Sequence, residues 1–150
     1  MSEGQGSAAA LAQHLIDAAH AHVTAEGAAD FDATLATLED DPVYELLPVG
    51  LRMRGMDAAR RYYRHFFANV QPRMVADKAI VHGSWLGETG LGIEYTIFLR
   101  EEDGSETPYR ILGILTFGET ALTGERVYAD ERLLRIMFEP IWDEMEPMTT

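Results

Sequence analysis

A carboxylate set in an apolar run is the first candidate for chemistry. In Tyr44-Glu45-Leu46-Leu47-Pro48-Val49-Gly50, Glu45 interrupts a strand-like stretch that ends in a Pro-Gly turn. A desolvated carboxylate keeps its proton to higher pH and exchanges it near neutrality. On a wheel of 100° per residue, His22 falls inside the apolar stripe of Leu11, Leu15 and Ala19, while His14 and His20 fall outside it. Residues two apart on a helix point in nearly opposite directions, so Ala-His20-Ala-His22 is not a metal site. Tyr63 lies in the stripe of a later helix beside Phe66, and Tyr95 shares a strand face with Leu91, Ile93 and Ile97. Glu125 shares a face with Val127 and Ala129. Asp130 directly precedes Glu131-Arg132-Leu133-Leu134, the position of a helix N-cap. There is no cysteine, and no phosphate loop, metal constellation or nucleophile triad is seen, so no cofactor is implied.

The elements that must hold these groups are read from periodicity. The pattern is helical from Ser7 to Glu26-Gly27, then briefly again from about Asp30 to Leu38. Pro42 ends this, Val43 to Leu47 reads as a strand, and Pro48-Val49-Gly50 turns it into Leu51 to Arg54. A third helix runs from about Met56 to Val70. The strands Val75 to Leu86, Leu91 to Glu101, Pro108 to Phe117 and Leu122 to Ala129 come next, joined by turns of hairpin length. A last helix, Glu131 to Phe138, ends at Pro140. Residues 1–6 read as a flexible start, 7–140 as one domain and 141–150 as an acidic tail. The fold class is α+β, one curved antiparallel sheet wrapped around N-terminal helices with a pocket between. Leu112 and Ile114 would point to the outer sheet face, which predicts a homodimer.

The charge balance narrows the partners. The 25 acidic against 12 basic residues give a net charge of −13, which repels phosphate backbones and anionic leaflets. Nucleic acid and membrane are excluded as partners on this ground, and a small hydrophobic molecule is expected. The N-terminus carries no basic leader and no run of ~20 apolar residues occurs, which with the lack of cysteine points to the cytoplasm.

The Asp40-Asp41-Pro42-Val43-Tyr44 entry, the helix start Arg54-Gly55-Met56-Asp57-Ala58-Ala59-Arg60-Arg61-Tyr62-Tyr63 and the ending Glu125-Arg126-Val127-Tyr128-Ala129-Asp130-Glu131-Arg132 resemble the SnoaL-like branch of the nuclear transport factor 2-like superfamily. The resemblance runs from about Leu11 to Phe138 and implies a cystatin-like cone. Ketosteroid isomerases of that superfamily keep a general-base aspartate where this chain has Leu47, and an oxyanion-hole aspartic acid where it has Gly113. The last-strand aspartate of limonene epoxide hydrolases matches Val127. A tyrosine of the isomerase network matches Tyr63, and its first-helix tyrosine falls at His20 or His22. Asp130 matches the acid–base aspartate of SnoaL-type cyclases, with the helix cap as its structural alternative.

The position of Leu47 in the resembling isomerases implies that it faces the cavity, which would put Glu45 there too. A His22–Glu45 acid–base pair is therefore expected, with Tyr63 or Tyr95 orienting a substrate and Leu47, Phe66, Glu125 and Val127 around it. The alternative for Glu45 is a rim charge paired with Arg52 or Arg54. These readings predict either a cofactor-independent isomerase, lyase or cyclase, or a non-catalytic binding protein with the same cone.

Overall fold

The computed structural model describes residues 3–149. Helix α1 (Glu3–Gly27) leads into the short α2 (Phe31–Ala36), whose cap is Asp30, accepting from Ala33 N at 3.1 Å. Strands β1 (Leu38–Leu47) and β2 (Leu51–Arg54) form a hairpin. Its turn closes through Gly50 N–H to Leu46 O at 2.9 Å, with Gly50 at φ 75°. Helix α3 (Met56–His65) continues as a π turn over Phe66–Val70. Then come β3 (Ile80–Leu86), β4 (Gly90–Arg100), β5 (Glu106–Phe117), β6 (Leu122–Tyr128), α4 (Glu131–Met137) and β7 (Glu146–Pro147).

The strands form one open seven-stranded sheet in the order β3-β4-β5-β6-β1-β2-β7. Every neighbouring pair is antiparallel except β1 and β6, which run parallel, so the sheet is mixed. The first strand reaches back to Leu38, where the sequence pattern predicts a helix. Pro42 has no N–H to give the ladder, and the register against β6 shifts between Leu38 and Val43. There β6 passes so close that a Cβ on Gly124 would collide with Val43 O. The segment read as a strand from Val75 begins instead with a 3₁₀ turn, Ala76–Lys78. Residues of the acidic tail join the sheet as β7, pairing with β2 and extended by Met148 N–H to Gly50 O at 2.8 Å.

The core fills the concave side. Tyr62, Tyr63, Phe66 and Val70 on the α3 stripe are buried, and Tyr62 stacks on Phe138 at 4.2 Å between ring centroids. From the sheet, Tyr44, Leu46, Ile111 and Val127 meet them. Only the C-terminal half of α1 packs on this core, through Leu15, Ala19 and His22; residues 4–14 are exposed throughout. On the outer sheet face Leu112 and Ile114 are half-buried, with exposed Trp85 and Tyr128 nearby. Among the described residues, no helix is long and apolar enough to cross a membrane.

Candidate functional site

A cavity of about 340 Å³ lies between the end of α1, the π turn and the concave sheet face. Phe66, Ile93, Ile97 and Leu115 supply its apolar wall, and Val23, Ile80 and Val81 its exposed rim. Tyr95 faces it from β4. Its polar groups are His22 and Glu26 from α1, Gln71 after the π turn and Glu125 from β6. Gln71 Nε2 donates to Glu26 O at 2.8 Å, tying the end of α1 to the chain leaving α3.

Glu125 is half-buried and has no hydrogen-bond partner among the described residues. Its carboxylate occupies the space a side chain at Gly113 would need, since a Cβ there would collide with Oε1. Burial holds its pKa well above the usual carboxylate range, and the charge of Glu26 pushes it in the same direction. Burial likewise raises the Tyr44, Tyr62, Tyr63 and Tyr95 hydroxyls, so all four stay protonated at neutral pH.

Glu26 belongs to a connected network. His22 Nε2 lies 3.3 Å from Glu26 Oε2, one helical turn on, and 3.1 Å from the Tyr63 hydroxyl. Tyr63 also reaches Glu26 Oε2 at 3.3 Å, and its oxygen is 2.5 Å from that of Tyr44. At the far side of the ring, His22 Nδ1 meets Thr37 Oγ1 at 2.7 Å. The Thr37 hydroxyl already donates to Thr34 O at 2.7 Å, so it accepts from His22, and Nδ1 carries the hydrogen. In the neutral ring Nε2 is an acceptor, and it shares the single Tyr63 hydrogen with Glu26 Oε2. The hydroxyls run Tyr44 to Tyr63 and on to this pair, a continuous path for a proton.

No protein-family model and no curated protein matches the chain. Solved structures do. An NTF2-like protein of unknown function from Cytophaga hutchinsonii superposes with a TM-score of 0.63 at 13% identity, covering 77% of this chain and 99% of that one. An LEH-like epoxide hydrolase from M. tuberculosis gives 0.61 at 24% identity over 85% and 88% of the two chains. A putative polyketide cyclase from Xanthomonas campestris pv. campestris gives 0.61 at 16% identity over 84% and 97%. At these identities the likeness is one of fold alone, the cone of NTF2-like proteins.

In this nuclear transport factor 2-like cone, His22, Phe66, Tyr95 and Glu125 line the cavity, and Tyr63 stands behind it, bonded to His22 and Glu26. The expected His22–Glu45 pair does not form. Tyr44 and Leu46 are the inward residues of β1, fully buried, and alternation turns Glu45 and Leu47 to the opposite face. Glu45 is a rim charge there, 3.2 Å from Arg52 Nη2 and 3.5 Å from Arg126 Nε, its neighbours across both ladders. Val127 is buried in the core and not at the cavity wall. Asp130 is exposed and caps α4, its Oδ1 accepting from Arg132 N at 2.8 Å.

Sequence reasoning missed Glu26, read only as the residue before a helix-ending glycine. The signal was present: Glu26 lies four residues after His22, the spacing that stacks side chains on one helix face. Thr37 and Tyr44 are placed by the tertiary fold and carry no local mark. A larger cleft of about 1060 Å³ lies beside α4, but its Arg73, Glu101 and Arg132 are paired with one another. Bonding to Arg132 lowers the Glu101 carboxyl to about 2, which leaves it no proton to exchange at neutral pH.

Proposed function

We propose that this chain binds a small hydrophobic molecule in the cavity and acts on it as a cofactor-independent isomerase, lyase or cyclase. The observation that carries this reading is Glu125, an unpaired carboxyl among the described residues, set in an apolar cavity opposite the Glu26–His22–Tyr63 network. Glu125 keeps its proton and serves as the donor; Glu26, already receiving the Tyr63 hydroxyl, serves as the acceptor. A proton taken from one side of a substrate and returned on the other is an isomerisation, and loss of a protonated leaving group is a lyase step. At the ~30 Å³ of a liquid water per atom, the volume admits roughly a dozen non-hydrogen atoms.

Non-catalytic binding is the second reading. It is favoured by Leu47, Gly113 and Val127, which stand where the resembling enzymes keep carboxylates. The two readings separate in deuterium oxide. A ligand found by thermal shift is incubated with the protein and followed by NMR. Exchange of a carbon-bound hydrogen, or conversion, that is lost in Glu125→Gln while binding persists supports the enzyme; binding with neither in the wild type supports the binding protein.

We also propose that a second copy covers the outer face around Leu112 and Ile114, giving a homodimer. The charges flanking the patch are already paired within the chain, Arg110 with Glu94 and Arg126 with Glu45, so apolar contact decides the association.

A further inference from the structure

The cavity holds two carboxyl groups and no lysine or arginine among its described residues to pair with them. Glu26 enters from α1 and Glu125 from β6. Arg126, next in sequence to Glu125, turns to the outer face and pairs with Glu45. The titratable groups facing Glu125 are Glu26 and His22 of α1, Tyr44 of β1, Tyr62 and Tyr63 of α3 and Tyr95 of β4. From β5, Gly113 and Leu115 lie beside it and carry no titratable group. The one cation this set could supply is His22, and its nitrogens meet Thr37, Tyr63 and Glu26 rather than Glu125. Glu125 itself has no donor from the protein among the described residues.

We propose that the ligand of this cavity is a small apolar amine in its ammonium form. The nitrogen lies at the Glu26 and Glu125 carboxylates, and the hydrocarbon body packs on Phe66, Ile93, Ile97 and Leu115. This rests on the reading of the cavity as a binding site and takes its non-catalytic form, because a Glu125 ionised beside an ammonium has no proton to donate. An ammonium supplies the donors and the charge that Glu125 lacks, and charge-assisted hydrogen bonds are the strong ones. Tyr95 and Phe66 also line the cavity, and aromatic rings attract cations at their faces. A carboxylate ligand would add to the negative charge, and a neutral alcohol of the same shape would leave that charge uncompensated. The net charge of −13 also draws cations to the mouth.

Protons must balance. In the empty cavity Glu125 retains its proton because burial and Glu26 disfavour the ion. An ammonium beside it favours the ion, so Glu125 gives its proton to solvent as the amine enters. Affinity therefore rises with pH until Glu125 is already ionised in the empty cavity, then levels off, and falls where the amine itself deprotonates, near the ~10 of an alkyl ammonium.

Calorimetry with one skeleton and three head groups tests this: 2-phenylethylamine, 2-phenylethanol and phenylacetate, in about 0.15 M salt to screen non-specific attraction to the surface. The amine is expected to bind at least about tenfold tighter than the alcohol, with no phenylacetate binding. Titrations in buffers of different ionisation enthalpy should show proton release with the amine alone. Glu125→Gln should remove most of the amine's advantage and the proton release while leaving alcohol affinity within about threefold. An alcohol that binds as tightly as the amine, or an amine preference unchanged in Glu125→Gln, overturns the amine assignment and leaves the cavity a binding site. If none of the three binds, the reading of the cavity as a binding site falls with it.

Discussion

Gly113 lies against the carboxylate of Glu125, so close that a Cβ there would collide with Oε1. The resemblance implies a carboxyl on β5 at this point; here the carboxyl reaches the same space from the neighbouring strand.

Gly113→Ala should therefore act on function before stability. The atom a new Cβ would meet is the mobile end of a glutamate, so the side chain can swing away. The expected cost is under ~1 kcal/mol by urea unfolding, well below that of overpacking a rigid core. Ligand affinity or turnover should fall at least about tenfold as Glu125 is displaced.

Glu125 should also mark the pH dependence of stability. Burial raises its pKa in the fold above the 4.5 of an ordinary glutamate, so the folded state holds a proton that the unfolded chain releases. Its favourable contribution is complete below the unfolded pKa and is lost as pH rises towards the folded one. The slope within that window approaches ~1.4 kcal/mol per pH unit. Glu125→Gln should flatten it, making the variant more stable than wild type at pH 8 and nearly equal at pH 4. Urea midpoints at the two pH values decide.

Tyr63→Phe should leave the Tyr44 hydroxyl buried without its partner, at a cost of about 1–3 kcal/mol. Adding Tyr44→Phe should recover part of that loss. A double-mutant cycle showing strictly additive effects would mean the two hydroxyls are not coupled.

Glu45→Gln tests the rim assignment. With its partners Arg52 and Arg126 on the far face, the change should cost under ~1 kcal/mol and leave ligand affinity and turnover unchanged. A loss of activity comparable to that of Glu125→Gln would return Glu45 to the site.

Sedimentation should show a dimer at micromolar concentration, and Ile114→Glu should shift it to monomer while keeping the circular dichroism spectrum. A wild-type monomer would leave the outer face uncovered.

The meander strands, the α3 stripe and the inward face of Tyr95 and Glu125 are legible in the sequence because each is a local periodic pattern. Glu45 misleads because its face is inherited from Leu47 by alternation, and the phase of β1 is set by Tyr44 and Leu46, whose burial depends on α3. Tyr44 is no more apolar in sequence than its neighbours; only its hydrogen bond to Tyr63 reveals which way the strand is turned. The β7 pairing escapes notice because two residues with a proline carry no strand period.

The π turn at Phe66–Val70 holds one residue more than an α-helix would use for the same turn, closing through Gln71 N–H to Phe66 O. Removing a single residue there would restore the ordinary winding and rotate the chain beyond it by about 100°. Gln71 would leave the carbonyl of Glu26, and the end of α1 would lose its fastening to α3. A one-codon deletion in this turn is thus a route by which descendants of this gene could remodel the cavity without replacing any residue of its sheet wall.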